Sequence, residues 1–337
     1  MTRQTALILG ATGGIGGAMM RRMLASGWQV KALTRGASAR LAAGCEPIVG
    51  DALDPAAVAS AARGADVIVH AVNPPGYRDW EKLVLPMLDN TIGAARASGA
   101  RIVLPGTVYN YGPDVFPRFD EDAPQRPVTR KGAIRVEMER RLRAASDNRE
   151  VTALILRAGD YFGPGAANNW FGQGLIAPGR RPGVIRNPGR PGIGHQWAYL
   201  PDVAETMTRL LAGPPLPDFA NFHMAGHWDA SGTQMVEAIA RALGSPNVPI
   251  RPLPWWQLRL AALVATTPRE LMEMRYLWRQ PVRMTNARLL ARLGEEPHTP
   301  LDQAVRATLA SLGCTAESRA QPSRIDSSTS SVNGMVI

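Results

Sequence analysis

Near the N-terminus, the segment Gly10-Ala11-Thr12-Gly13-Gly14-Ile15-Gly16 sets glycines at GxxGxxG spacing between a short apolar run, Ala6 to Leu9, and helical spacing from Gly14 to Ser26. This segment constrains the chain more than any other. Glycine at the spaced positions lets a strand turn tightly into a helix, lets backbone approach a pyrophosphate, and lets the helix pack close to its strand. The helix N-terminus then offers unpaired N–H groups and a partial positive charge to the phosphates. Gly10, Thr12, Gly13, Gly14, Ile15 and Gly16 are therefore expected to cradle a dinucleotide.

Further strand-like runs follow at Gln29 to Leu33, Pro47 to Val49, Asp66 to His70, Arg101 to Leu104 and Val151 to Leu156, separated by helical segments. Such alternation predicts an α/β fold with a doubly wound parallel sheet. After Arg157 the texture changes, and Gly163 to Gly194, rich in Gly, Pro and Arg, is predicted to be mostly loop. Helical patterns return at Pro201 to Leu211, Ser231 to Leu243, Pro254 to Val264, Pro268 to Trp278, Asn286 to Leu293 and Leu301 to Leu312. They predict a smaller, mainly helical lid over the carboxyl ends of the sheet. The expected division is a dinucleotide-binding unit at 1–160, a substrate-binding lid at 161–314 with some segments returning to the sheet, and a tail at 315–337. That tail is rich in Ser and Thr without an apolar period, so disorder is expected. A length of 337 residues suits two such units.

Composition narrows the functional classes. Hydrophobic residues at 45% and charged residues at 20% describe a globular protein with ample core material. The strand begins too early to leave room for a signal peptide, and the apolar stretch Trp255 to Ala265 carries Arg259 and falls short of the ~20 residues a bilayer span needs. A cytoplasmic protein without a membrane partner is expected. Cys45 and Cys314 are too few and too far apart for a disulfide framework or a metal site. The net charge of +10 comes from basic residues scattered along the sequence, and of 38 Lys and Arg only Lys31, Lys82 and Lys131 are lysines. That bias fits a GC-rich genome better than phosphate recognition, so no nucleic-acid partner is expected.

Cofactor choice turns on the end of the second strand, where an acid would accept hydrogen bonds from the adenosine ribose of NAD. Thr34-Arg35 stands there instead. An arginine can pair with a 2′-phosphate, so NADP is favoured over NAD, the other reading of Arg35 being a solvated surface residue. In Gly50-Asp51-Ala52, after the third strand, Asp51 is either an adenine contact beside Ala52 or a turn cap.

These residues resemble the extended short-chain dehydrogenase/reductase superfamily, of the NAD-dependent epimerase/dehydratase kind, from Thr5 to about Gly313. Besides the glycine loop, the matching pieces are Gly50-Asp51, Val69-His70-Ala71, Asn90, Tyr111-Gly112, Leu156-Arg157, Tyr161-Phe162-Gly163-Pro164, Asp202-Val203-Ala204 and Pro297-His298-Thr299-Pro300-Leu301. The resemblance implies that Ala71 lies at the cofactor and that Asp160 lies near the nicotinamide carboxamide. It also implies that Thr107 takes the place of the family's active-site Ser or Thr. The family's YxxxK pair is replaced: Lys131 stands in the tyrosine position and Arg135 in the lysine position.

Four residues apart on a helix, Lys131 and Arg135 share one face. Repulsion from the guanidinium, with partial burial, is expected to lower the lysine pKa toward the range useful for proton transfer. Lys131 then acts as acid or base, or as a fixed charge on a substrate oxyanion. In the other reading both are surface cations solvated by Glu137 and Glu139. Tyr111, Tyr109 and Tyr161 are further proton-donor candidates, and His195 could face the substrate. The expected function is an NAD(P)-dependent oxidoreductase or epimerase/dehydratase-like enzyme acting on a small carbonyl, hydroxyl or sugar-like substrate, with a homodimer allowed. The competing expectation is a non-catalytic NADP(H) sensor or regulatory protein.

Overall fold

A computed structural model describes residues 3–36, 39, 41–74, 79–244 and 248–315. The predicted tail, from residue 316 onward, lies outside the described residues.

The chain opens as β1 (Thr5–Leu9), α1 (Gly14–Ala25), β2 (Gln29–Thr34), β3 (Cys45–Val49), α2 (Pro55–Ala61), β4 (Val67–His70), α3 (Trp80–Ser98) and β5 (Arg101–Thr107). It continues through α4 (Arg130–Asp147), the strand Thr152–Ala158, α5 (Leu200–Ala212) and the strand Phe219–His223. Seven strands form one parallel sheet in the order Phe219–His223, Thr152–Ala158, β5, β4, β1, β2, β3. Because β2 and β3 lie on one side of β1 and β4 on the other, the strand order reverses between β1 and β4. A crevice opens there, outside the carboxyl ends of the strands, where doubly wound folds take their ligands.

Alternate residues of β1 show why the sheet sits in the middle. Ala6 and Ile8 pack with Met19 and Met23 of α1 and Val203 and Met207 of α5, whereas Leu7 and Leu9 pack with Val84 and Leu88 of α3 on the other face. Successive side chains of a strand point to opposite faces, and both faces here are covered. Complete burial of a side chain such as Leu7 contributes roughly 1.5–3 kcal/mol.

A separate apolar core, including Trp170, Phe171, Trp197, Ile239, Leu277, Trp278 and Val305, holds the later segments together. The helices of the expected lid region are Gln234–Ala242, Trp255–Ala261, Thr266–Glu273, Ala287–Leu293 and Leu301–Ser311, of which Ala287–Leu293 packs through Leu289 on the core of the parallel sheet. The predicted helix Pro268 to Trp278 becomes an α-helix ending at Glu273 and a 3-10 turn from Met274 to Trp278. The edge strand Phe219–His223 has no counterpart among the predicted strands. Its alternation spans only five residues behind a proline-rich approach, and its place is decided by pairing with Thr152–Ala158. The loop-rich segment Gly163 to Gly194 contains a short strand, Ile185–Asn187, paired with Ile250–Pro252.

Candidate active site

The glycine loop leaves β1 at Gly10, whose φ of +90° is left-handed and whose added Cβ would lie 2.5 Å from the Ala71 carbonyl oxygen. At Gly16 a Cβ would lie 2.2 Å from the Gly10 carbonyl oxygen, so the absence of a side chain allows α1 to touch the loop. Gly13 caps α1 without a side-chain hydrogen bond, and the first turn carries no acid. The N-terminal N–H groups of α1 thus face the crevice with their positive end unneutralised.

One cleft of about 840 Å³ runs from this loop to the lid. Its walls include Gly10, Thr12, Gly13, Gly14 and Ile15, then Thr34 and Arg35 at the end of β2, Asp51 and Ala52 after β3, and Ala71 after β4. Gly16 does not line it; its part is the close packing of α1. Arg35 is exposed, with neither Asp nor Glu among its immediate chain neighbours. The Asp51 carboxylate caps its own turn by accepting from the Leu53 N–H at 2.9 Å while still lining the cleft. Asn90 of α3 donates to the Ala52 carbonyl at 2.9 Å and holds this loop in place. An adenosine and pyrophosphate fit the glycine cradle, whose space a Cβ at Gly10 or Gly16 would take, and the exposed Arg35 at the end of β2.

At the other end of the cleft stand Thr107, Tyr109, Lys131, Arg135, Asp160 and Tyr161, with Trp170, Glu270, Leu271 and Met274 from the lid. Thr129 caps α4 by accepting from the Gly132 N–H at 3.0 Å, which fixes Lys131 in the first turn. The Lys131 ammonium lies 2.7 Å from Glu270 Oε2 and also donates to the Glu270 carbonyl at 3.2 Å. Its backbone N–H, one of the unpaired donors of the helix start, is taken by Glu273 at 2.9 Å. Burial lowers the Lys131 pKa, and the hydrogen bond and charge of Glu270 work against that shift.

Two details differ from the sequence expectation. Lys131 is depressed by burial, and the cation that adds to the effect is Arg130, not Arg135. Glu137 and Glu139 do not solvate the pair either: Glu137 binds Arg140 and Arg141 at the surface, and Glu139 is buried against Arg157. The acids that meet Lys131 come from the lid, and no spacing rule connects them to it. Arg135 instead lays its guanidinium over the Trp80 ring at 5.4 Å, and its buried Nε has no hydrogen-bond partner. Its charge, second to burial, helps push the neighbouring His70 down to about 3.

Tyr111 is not brought to the cleft. It is fully buried, and its hydroxyl lies 2.9 Å from His223 Nε2. Arg157 also approaches that nitrogen, at 3.2 Å. Arginine only donates, so His223 Nε2 accepts and the Tyr111 hydroxyl donates to it. This corrects Tyr111 as a catalytic candidate: its side chain belongs to the core beneath the site. Tyr161 lines the cleft, but its hydroxyl donates to the Gly106 carbonyl and burial pushes its pKa up. Tyr109 donates to Asp160 Oδ1 at 2.9 Å, and His195 Nε2 meets Asp160 Oδ2 at 2.8 Å. His195 is stacked on Trp278 with ring centroids 3.7 Å apart and does not line the large cleft. It therefore backs Asp160 and does not face a substrate. Thr107, at the end of β5, lines the cleft, and its hydroxyl oxygen accepts from the Tyr109 N–H at 3.4 Å.

Comparison with known proteins agrees with this fold. A curated relative from a Streptomyces species, 3-diazoavenalumate denitrifying reductase, is 35% identical over 176 residues, which cover 47% of this chain and 57% of that protein. The matched region therefore spans little more than half the length of the relative. Two solved structures share the fold: the Bordetella bronchiseptica enzyme WbmH in complex with NAD+ (19% identity, TM-score 0.65, 92% of this chain and 98% of that one) and UDP-glucose 4-epimerase from Bifidobacterium longum in complex with NAD+ and UDP (15% identity, TM-score 0.69, 92% and 98%). Residues 6–215 match the NAD dependent epimerase/dehydratase family, so with its parallel sheet and its glycine loop the chain belongs to that family of nicotinamide-dependent enzymes.

Proposed function

We propose that the chain is an NADP(H)-dependent oxidoreductase that reduces a small carbonyl-like substrate, with Lys131 in the role the family gives to tyrosine. The observation that carries this reading is the buried Lys131–Glu270 pair, which lines the same cleft as the glycine loop. The loop and the start of α1 would hold the pyrophosphate, and Arg35 would pair with the 2′-phosphate. A nicotinamide bound here supplies the hydride.

The protein's own task is to position the substrate oxygen and give it a proton. Lys131, held by Glu270, has a charged N–H donor at the cleft wall, and burial makes that proton easier to give up. Thr107 adds a hydroxyl on the wall of the same cleft. The walls around Lys131 set apolar Leu83, Met87, Trp170, Leu271 and Met274 beside polar Asn168, Asn169 and Gln173. Such mixed walls suit a small substrate with an apolar body and a few polar groups, and the Streptomyces relative is likewise named a reductase. The division into a binding unit at 1–160 and a lid at 161–314, and a cytoplasmic setting, belong to the same proposal.

NADPH oxidation against a panel of small aryl and alkyl carbonyl compounds tests it. Lys131→Met should lower turnover by roughly 10²–10⁴-fold with NADPH affinity close to normal, whereas Arg135→Met should weaken both. A change under about threefold for Lys131→Met would place the proton elsewhere. A second reading, a sensor without turnover, draws on Glu270 closing the lid onto α4 through Lys131. NADPH that slows amide exchange in Thr266–Glu273 but is oxidised with no member of the panel would favour it.

A further inference from the structure

We propose that the lid hairpin formed by the helices Trp255–Ala261 and Thr266–Glu273 docks onto an anionic phospholipid surface. Trp256 and Leu260 of the first helix and Leu263 and Val264 in the turn that follows it are exposed, Leu263 76% and Val264 89%. These two are the most exposed large apolar side chains among the described residues. A contiguous apolar face of this kind on a globular protein marks a contact surface.

The charges beside it identify the partner. Arg259 lies exposed on the same helix, and the charges of Arg279, Arg190 and Arg259 all act on Arg275. Burial and these three cations hold the Arg275 guanidinium below its ordinary value, and no carboxylate figures among the groups that shift it. Among the described residues, none of the four arginines has a salt-bridge partner, while Arg275 lies over the Trp255 ring at 5.2 Å. An apolar face carrying tryptophan and leucine, bordered by unpaired arginines, is the pattern of a helix that lies in the headgroup region of an acidic membrane. A second copy of this chain fits less well, because a two-fold contact through this face would set arginines against arginines. No described helix can cross a membrane, so the contact is with one leaflet's surface. The hairpin also supplies Glu270 and Leu271 to the cleft wall, which places the lid itself at the lipid.

Co-sedimentation of the full chain with vesicles of pure phosphatidylcholine, and of about 7:3 phosphatidylcholine to phosphatidylglycerol, tests the proposal. The protein should partition onto the mixed vesicles and not onto the neutral ones, and added salt should weaken binding. Leu263→Ser with Val264→Ser should lower partitioning at least about tenfold. Arg259→Gln and Arg279→Gln should each lower it about fivefold, with unchanged far-ultraviolet circular dichroism. Failure to bind the mixed vesicles, or equal binding to neutral ones, would overturn the proposal. So would self-association of the lipid-free protein that Leu263→Ser and Val264→Ser abolish, since the face would then cover a protein. Vesicle binding that appears only after residues 316–337 are removed would assign the face to that segment instead.

Discussion

Lys131 and Glu270 stand 139 positions apart in the chain and 2.7 Å apart in the fold. The lysine belongs to the first turn of α4, and the carboxylate comes from the lid. The buried pair is thus completed only by packing between segments far apart in the chain. Burial favours the neutral amine and Glu270 favours the ammonium, and burial is the larger of the two.

The first prediction concerns pH. If protonated Lys131 gives its proton during reduction, kcat should fall as pH rises through its lowered pKa, with the alkaline limb below the ordinary lysine range. Glu270→Gln removes the charge that opposes the lowering, so the limb should move further down. A limb that stays in place in Glu270→Gln, with turnover retained, would separate Lys131 from the proton transfer.

A second prediction follows from Arg35 at the end of β2. Arg35→Asp should reverse the preference for NADPH over NADH, because the new carboxylate repels a 2′-phosphate and accepts from a ribose hydroxyl. Titration of both dinucleotides against native and variant protein reads it directly. An unchanged ratio would make Arg35 a surface residue.

Beneath the site, Arg157 is 2% exposed and Glu139 5%, and Glu139 also accepts from Asn110 and Gln125, both at 2.9 Å. Arg157→Met leaves the Glu139 charge buried without its cation, so the expected loss of stability is about 3–5 kcal/mol. Urea denaturation should show the lower midpoint. A loss under about 1 kcal/mol would mean that water or a rearranged side chain replaces the guanidinium.

The last prediction concerns acid. Burial, with Arg135 adding to it, brings His70 to about 3 from 6.5, and burial brings His227 to about 4. Between the folded and unfolded values the unfolded chain binds more protons, so stability falls as pH drops from about 6.5 toward those lower values. Each histidine contributes a slope of up to about 1.4 kcal/mol per pH unit. In His70→Gln the denaturation midpoint should depend less steeply on pH across that window. An identical slope would show that His70 does not titrate on unfolding.

The glycine-loop end of the cleft was legible in the sequence because its parts are local. The turn at Gly10 to Gly16, the strand end at Thr34-Arg35, the Gly50-Asp51 turn and Ala71 each follow a strand whose apolar residues announce it, and a parallel sheet must bring such strand ends to one edge. Helical spacing likewise set the bounds of most helices. The rest depended on contacts between distant segments, to which no periodicity refers. Glu270 reads in sequence as one polar position of a lid helix, and Tyr111 reads as a loop tyrosine near the reaction centre until His223, 112 residues away, takes its hydroxyl. Arg190, Arg259 and Arg279, scattered along the sequence, act together on Arg275 only once the chain is folded. Local backbone rules and hydrophobic spacing determine elements and their order. Which side chains then share one buried or charged environment is decided by packing between elements, and only the tertiary structure contains that.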